Sequence, residues 1–212
     1  MIVDLRHILL SDLQVYPGDP KVEIKPALTI EDDFVNVLTV NMGSQSGTHV
    51  DSPFHVLADG KRLNEVDLSN FIGIGAVIDA TGLSDRQEIP TERFTNLDLT
   101  GVSIALVRTD WSQYFGTARY LAHPYPNVES LTHLKNHGIT TIALDFLSLD
   151  RTPAAGEEFT LANHYFWSQG DGIIGENFTG LSQITVERPN ISMLPLNLGA
   201  SDGAPVRAIA SW

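Results

Sequence analysis

Cysteine is absent from the 212-residue sequence, which excludes disulfides, thiolate metal sites and a cysteine nucleophile. A metal site in this chain must therefore use imidazole and carboxylate groups. Long apolar runs are absent as well, since none approaches the roughly 18 residues that a transmembrane helix needs. The N-terminal MIVDLRHILL is interrupted too often by charged residues to be the apolar core of a signal peptide. We therefore expect a cytoplasmic protein.

Positive charge is scarce. Lysine and arginine number 13 against 26 aspartates and glutamates, which gives a formal net charge of −13. Phosphate backbones and anionic bilayers repel such a chain on average, so binding to nucleic acid or to a membrane surface is disfavoured. At 42% hydrophobic residues, and without repeats or linkers, the sequence can bury one substantial core. A single domain over residues 1–212 is the prediction.

Four apolar runs rich in β-branched residues predict strands, at residues 74–80, 103–109, 139–146 and 184–198, the last of them broken by Pro189 and Pro195. The second and third are almost continuously hydrophobic, as is typical of strands covered on both faces. Helices are predicted at residues 127–136, where Asn127 is a plausible N-cap, and at residues 160–168. This order of elements predicts an α/β domain with one central mixed sheet.

The segment QSGTHVDSPFH, residues 45–55, concentrates polar side chains in a way that a simple connection does not require. Residues two apart in an extended backbone share a face, and on that basis one face carries Gln45, Gly47, His49, Asp51 and His55. The roots of His49 and Asp51 would lie about 7 Å apart, a gap that the side chains can close onto one ion. Gly47 would leave room for a ligand. A solvated turn and a buried Asp–His pair that only supports the fold are the alternatives.

A second cluster lies in NHYFWSQGDGIIGEN, where His164 falls on the short predicted helix and Glu176 follows a glycine-rich turn. The turn could fold the chain back and aim both side chains at one point, although this pair by itself is more often structural. Together the two clusters supply two imidazoles and two carboxylates. That is the ligand set expected of a cysteine-free zinc or manganese site.

The remaining histidines and tryptophans carry weaker signals. His133 and His137 share a helix face, but the glutamate of a His-Glu-x-x-His motif is missing. His7 and His123 have no partner that the sequence identifies. Trp111 and Trp167 are more typical of a core than of a pocket. The alternative that they form an aromatic wall for an aryl substrate stays open.

The stretch GTHVDSPFH resembles the core of the HxGTHxDxPxH signature of the cyclase family of metal-dependent hydrolases, to which bacterial kynurenine formamidase and isatin hydrolase belong. The resemblance covers nearly the whole chain. It includes YPGDP (16–20), RTDW (108–111), IALDFLSLD (142–150), the His164/Glu176 pair and PVRAIA (205–210). It implies a swivelling β/β/α fold and a homodimer or higher homo-oligomer.

The resemblance also implies roles for individual residues. The family's metal ligands match His49, Asp51, His164 and Glu176, and the last histidine of the signature, which acts beside the metal, matches His55. Gln45 stands where the family usually has its first ligand histidine. An amide carbonyl can bind a hard cation but is a weaker ligand than imidazole, and it has no titratable proton.

These residues together predict a metal-dependent hydrolase that uses Zn²⁺ or Mn²⁺. It would open an amide, lactam or ester bond of a small cyclic or aryl substrate by metal-activated water, with His55 as general acid and base. Two alternatives stay open. One is a non-catalytic metal- or ligand-binding homologue, which the loss of a ligand at Gln45 favours. The other is a lyase or cyclising enzyme on the same metal site.

Overall fold

The computed structural model describes every residue from Met1 to Trp212. Its strands are β1 (Ile2–Asp4), β2 (Glu23–Leu28), β3 (Val37–Asn41), β4 (His49–Asp51), β5 (Ile72–Asp79), β6 (Ile104–Arg108), β7 (Thr141–Leu144), β8 (Ile173–Glu176), β9 (Asn190–Ser192), β10 (Gly203–Pro205) and β11 (Ile209–Ser211). Its helices are α1 (Ile30–Asp33), α2 (Glu92–Thr95), α3 (Val128–Asn136) and α4 (Ala162–Ser168). Short 3₁₀ turns occupy Pro53–His55, Leu63–Glu65, Leu68–Asn70, Trp111–Tyr114, Ala118–Ala122 and Leu181–Gln183. None of the helices has both the length and the apolar character needed to cross a bilayer.

Nine strands form one mixed sheet in the order β1-β11-β9-β5-β6-β7-β8-β4-β10. Its centre, β5 to β8, is parallel, and the strands on both sides pair antiparallel. The central strands β6 and β7 are almost fully buried, which their continuous apolar sequences predicted. The predicted α/β class with a central mixed sheet is therefore confirmed.

Alternate residues of the central strands face two separate cores. On β6, Ala105 and Val107 pack into a core that also contains Leu131 of α3 and Trp167 of α4. The intervening residue Leu106 packs into a second core on the other face of the sheet. This period of two follows from the pleat of a strand, so the sheet is covered on both sides.

The helix predictions hold to within about two residues. The side chain of Asn127 accepts a hydrogen bond from the backbone N–H of Ser130, so it is the predicted N-cap of α3. The second predicted helix begins at Ala162, two residues later than expected.

The predicted strand at residues 184–198 is wrong over most of its length. Only Asn190–Ser192 pairs in the sheet, as β9 between β11 and β5. Pro189 and Pro195 lie on either side of it, and proline has no backbone N–H to contribute to a ladder. The apolar content of the segment therefore gave too long a strand.

A hairpin of β2 and β3 stands apart from the large sheet as a two-stranded sheet of its own. We call residues 23–41 the hairpin arm. Val37 and Leu38 are neighbours on β3, so their side chains point to opposite faces, and both are exposed. The exposed apolar side chains of the arm are Leu28, Ile30, Phe34, Val35, Val37, Leu38 and Val40.

Candidate active site

Strand β4 places the first two candidate ligands. It pairs antiparallel with β8 on one side and β10 on the other, with His49 opposite Glu176 and Asp51 opposite Gly203. Residues directly opposite each other in such a pair share a face, so the side chains of His49 and Glu176 emerge together. Val50, which lies between His49 and Asp51 on β4, points its side chain into the core on the other face of the sheet. The predicted common face of His49 and Asp51 is therefore present.

The predicted role of Gly47 was wrong. The extended backbone covers only His49–Asp51, and Gly47 has a φ of +65°, in the left-handed region where glycine is favoured. A Cβ at this position would stand 2.7 Å from Leu9 Cδ2, so the missing side chain makes room for the half-buried Leu9 and not for a ligand. The shared face therefore cannot be extended back from His49 to Gln45 by strand periodicity.

The second pair reaches the same place from α4 and β8. After α4 the chain turns through Gly170, which has a φ of +74°, and re-enters the sheet as β8. His164 Nε2 then lies 3.2 Å from Glu176 Oε1. The prediction that the glycine-rich turn aims both side chains at one point is confirmed.

Four buried side chains from the two segments form one cluster. His49 Nε2 lies 3.5 Å from Asp51 Oδ1 and 3.6 Å from Glu176 Oε2. His164 Nε2 lies 4.0 Å from Asp51 Oδ2. One ligand atom from each of His49, Asp51 and Glu176 falls within 4.8 Å of the others, which is close enough for all three to contact one cation.

Both imidazoles are oriented by a bond from the other ring nitrogen. His49 Nδ1 donates to the carbonyl of Gly47 at 2.8 Å, and His164 Nδ1 donates to Asp150 Oδ2 at 2.7 Å. Asp150 is itself fixed, because its carboxylate accepts the backbone N–H of Asn163 and of His164 at the start of α4. Each ring therefore presents Nε2 to the cluster, an arrangement typical of metal-binding histidines.

Two buried oxygens at the cluster have no hydrogen-bond partner in the protein. They are Asp51 Oδ1 and Gln45 Oε1. A buried polar atom without a partner is costly. A cation held by the cluster would satisfy Asp51 Oδ1, and Gln45 lines the same cleft. The donor set of two imidazoles and two carboxylates, with an amide oxygen beside it, fits a divalent cation.

The charges of the cluster shift its pKa values strongly. Burial alone would lower the pKa of His49, but the carboxylates of Asp51 and Glu176 outweigh it and raise the pKa to about 9. Burial is likewise outweighed at His164, where the bonds to Asp150 and Glu176 raise the pKa to about 10. Burial would raise the pKa of Glu176, but the bonds from both imidazoles hold it below its usual range. Without a cation, the cluster thus retains protons on its imidazoles.

His55 lies beside this cluster, on the 3₁₀ turn that begins at Pro53. Its ring centroid is 6.0 Å from that of His164, and its Nδ1 is 3.0 Å from Asp202 Oδ2. Burial would lower the pKa of His55, but the charge of Asp51 and the bond to Asp202 raise it. The bond from His55 is also the main reason that the pKa of Asp202 lies below its usual range.

The cluster opens into a cleft of about 450 Å³. Tyr16 and Phe159 stand on its wall, with their rings edge to face at 6.2 Å, and Leu147 and Leu161 add apolar surface. Such a wall suits a flat aromatic or cyclic ligand. The cleft thus has an aromatic wall, but Tyr16 and Phe159 form it and the tryptophans do not. Trp111 and Trp167 are buried in the core, as predicted.

The four histidines that carried only weak signals in the sequence lie away from the cleft. His133 lies on α3 and His137 caps its C-terminus, with the two rings tilted by 40° and their centroids 4.2 Å apart, and His137 bonds to the carbonyl of His133. His7 stacks on Phe115, while His123 is buried and bonded to Thr152. None of them lines the cleft.

The sequence predicts no role for Asp150 or Asp202. Asp150 ends the quoted IALDFLSLD stretch, and Asp202 lies three residues before the quoted PVRAIA stretch. An aspartate is common at turns, so nothing local distinguishes these two from the others. Only their contacts with His164 and His55 reveal them.

Comparison with known proteins identifies the family. The family model described as putative cyclase matches residues 3–151. The chain belongs to the cyclase family. Kynurenine formamidase from Bacillus mycoides is 30% identical over 210 residues, which span 98% of this chain and 95% of that protein. The kynurenine formamidase of Geobacillus thermodenitrificans is 30% identical over 208 residues, 97% of this chain and 95% of that protein.

Solved structures of isatin hydrolases share the fold. Isatin hydrolase A from Ralstonia solanacearum has a TM-score of 0.86 at 20% identity, covering 99% of this chain and 91% of that one. Isatin hydrolase A from Labrenzia aggregata, bound to benzyl benzoate, has a TM-score of 0.84 at 22% identity, covering 99% and 93%. The cyclase-family resemblance and the fold that it implied are thus confirmed.

Proposed function

We propose that this cyclase-family member is a metal-dependent hydrolase that opens an amide, lactam or ester bond in a small aryl or cyclic molecule. The observation that carries the proposal is the convergence of two distant segments on one cleft. These segments supply His49, Asp51, His164 and Glu176, with His55 beside them. The similarity to proteins named kynurenine formamidase and isatin hydrolase supports the same reaction class.

The proposed cofactor is Zn²⁺ or Mn²⁺, since both accept mixed imidazole and carboxylate ligands. The proposed ligands are His49, Asp51, His164, Glu176 and, through its amide oxygen, Gln45. The unpartnered Oε1 of Gln45 supports the last assignment. When bound, the cation supplies Lewis-acid chemistry, polarising a carbonyl and making water more acidic.

His55 moves the proton. Its Nδ1 faces Asp202, so Nε2 is the atom that takes a proton from the attacking water and returns it to the leaving amine or alkoxide. An imidazole can do both near neutral pH, since its unperturbed pKa is about 6.5 and the pKa of His55 lies above that value. Tyr16 and Phe159 line the same cleft as His55 and would pack against the ring of the substrate.

The test is to strip purified protein with a chelator and assay formamides, lactams and aryl esters before and after adding Zn²⁺ or Mn²⁺. Turnover should disappear with the metal and return with it, and turnover that survives complete removal of metal would refute the proposal. Reaction in ¹⁸O-labelled water separates the alternatives. Hydrolysis puts the label into the acid product, whereas a lyase reaction does not, and a binding-only homologue gives no product.

The hairpin arm supports a homodimer as part of the proposal. A lone two-stranded hairpin is marginally stable in water, and this one exposes apolar side chains on both faces, with Phe34 88% exposed. A second copy of the chain packed against the arm would bury them. The cytoplasmic location stays a prediction from the sequence.

A further inference from the structure

Asp202 is tied to the turn that carries His55. The residue precedes β10, and its carbonyl accepts both the backbone N–H of Ser52 at 2.8 Å and the Ser52 hydroxyl at 3.0 Å. Ser52 is the residue before the 3₁₀ turn of His55. The loop bearing Asp202 and the turn bearing His55 are therefore held in a fixed relation by backbone contacts.

The carboxylate of Asp202 is surrounded by donors. Its Oδ1 accepts from the Ser44 hydroxyl at 2.8 Å. Its Oδ2 lies 3.0 Å from both Gln45 Nε2 and His55 Nδ1. An ionised carboxylate only accepts hydrogen bonds, so both nitrogens must donate to it. The 3.1 Å approach of Gln45 Nε2 to His55 Nδ1 is then a contact between two donors that share one acceptor.

The tautomer of His55 follows from this arrangement. If Nδ1 carries the hydrogen that Asp202 accepts, Nε2 of the neutral ring carries the lone pair. A general base needs that lone pair on the side of the substrate. Gln45 also donates from its amide to the carboxylate of Asp202. Gly203 leaves space for this amide, since a Cβ at position 203 would stand 2.7 Å from Gln45 Nε2.

We infer that Asp202 is a positioning residue that fixes His55 in its Nδ1–H tautomer, and that Ser44 and Gln45 hold the Asp202 carboxylate in place. The inference rests on the proposed function only in giving His55 its catalytic role. The geometry that it invokes includes no metal ligand other than the amide of Gln45, which reaches Asp202 through its nitrogen.

The decisive variant is Asp202→Asn, with Asp85→Asn as control. Asp85 undergoes the same chemical change, but in an exposed pair with Arg119. In the Zn²⁺-loaded protein, ¹⁵N-detected imidazole spectra assigned with His55→Ala should show Nδ1–H for wild type and for Asp85→Asn. Asp202→Asn should shift His55 towards Nε2–H, because the asparagine can turn its NH₂ to Nδ1. Bound metal should stay at the wild-type ratio, and kcat should fall about 10- to 100-fold at a nearly unchanged KM.

A wild-type His55 in the Nε2–H form, or an unchanged tautomer in Asp202→Asn, would overturn the inference. So would a kcat that falls only in step with lost metal. Ser44→Ala serves if Asp202→Asn does not fold, because it removes one donor and should weaken the tautomer preference in the same direction. The spectra need no substrate, so they decide the role of Asp202 even if the enzyme hydrolyses nothing on the panel.

Discussion

His49 and Glu176 lie directly opposite each other on the antiparallel strands β4 and β8, although 127 positions separate them in the chain. Their side chains emerge on one face with His49 Nε2 3.6 Å from Glu176 Oε2. The strand register therefore brings together one ligand from the signature segment and one from the distant segment. A slip of one residue would send one of the two side chains into the opposite core.

Loss of one ligand should abolish tight metal binding. In His164→Ala the cluster keeps His49, Asp51 and Glu176. We expect the metal dissociation constant to rise by at least about 100-fold, since even the loss of a residue that only orients a ligand costs about 10- to 100-fold. His137→Ala is the matched control, because that histidine is exposed at the C-terminal end of α3, away from the cleft. Metal titration with a competing chelator measures both. Equal affinity in the two variants would remove His164 from the site.

Metal affinity should increase with pH because the cation must displace protons. The pKa values of His49 and His164 in the metal-free protein are raised to about 9 and about 10, so both imidazoles carry protons at pH 7. Binding should release about two protons, and the affinity should rise up to about 100-fold per pH unit below pH 9. Calorimetry in buffers of different ionisation enthalpy counts the protons. Release of no protons at pH 7 would contradict the shifts.

The same shifts predict how the stability of the metal-free protein depends on pH. A histidine whose pKa is higher in the folded state than its unfolded value of about 6.5 stabilises the fold most below pH 6.5. That stabilisation is lost as pH rises through 9 to 10. The chelated protein should therefore unfold at lower denaturant concentrations at pH 9.5 than at pH 7. A midpoint that does not move over this range would show that the imidazoles are not protonated.

The sequence predicts those parts of the molecule that depend on local patterns. Continuous apolar runs revealed β6 and β7, and the side chain of Asn127 marked the start of α3. The signature segment at residues 45–55 indicated the family, and the family resemblance in turn assigned ligand roles to the distant residues His164 and Glu176. At residues 184–198 the two prolines were recognised as breaks, but the apolar content did not show that only Asn190–Ser192, between them, pairs in the sheet.

The rest depends on contacts between distant residues. Asp202 acts on His55 across 147 positions, and no local spacing connects them. Gly47 illustrates the same limit, because its need for a positive φ and its closeness to Leu9 arise only in the folded chain. The prediction that Gly47 belongs to a strand followed from the spacing of residues 45–55, and the structure shows that it was wrong.

A homodimer should form through the hairpin arm. Light scattering on eluting protein should give a mass twice the 23.2 kDa of one chain. Leu38→Lys with Val40→Lys places charges on exposed positions of β3 and should shift the mass towards one chain. Leu68→Lys, an equally exposed leucine outside the arm, should leave the mass unchanged. A wild-type monomer, or a dimer that survives the arm variant, would contradict this interface.

Gln45 should act through both ends of its amide. Gln45→Glu keeps an oxygen for the cation but replaces the donor to Asp202 with a negative charge. We expect metal affinity to be kept or increased, while kcat falls about 10-fold. Gln45→Leu removes both functions and should lower affinity and rate together. Unchanged affinity in Gln45→Leu would contradict the ligand assignment, and an unchanged rate in Gln45→Glu would contradict the donor role.

His55→Ala should separate proton transfer from metal binding. The ring of His55 stands beside the cluster and bonds to Asp202, so its removal leaves the four buried ligands with their own partners. Metal content should therefore match wild type, while kcat falls about 100-fold or more because the water loses its general base. Elemental analysis and turnover on one batch of protein give both numbers. If metal and rate fall together, His55 is a ligand, and the proton must be carried by another group in the cleft.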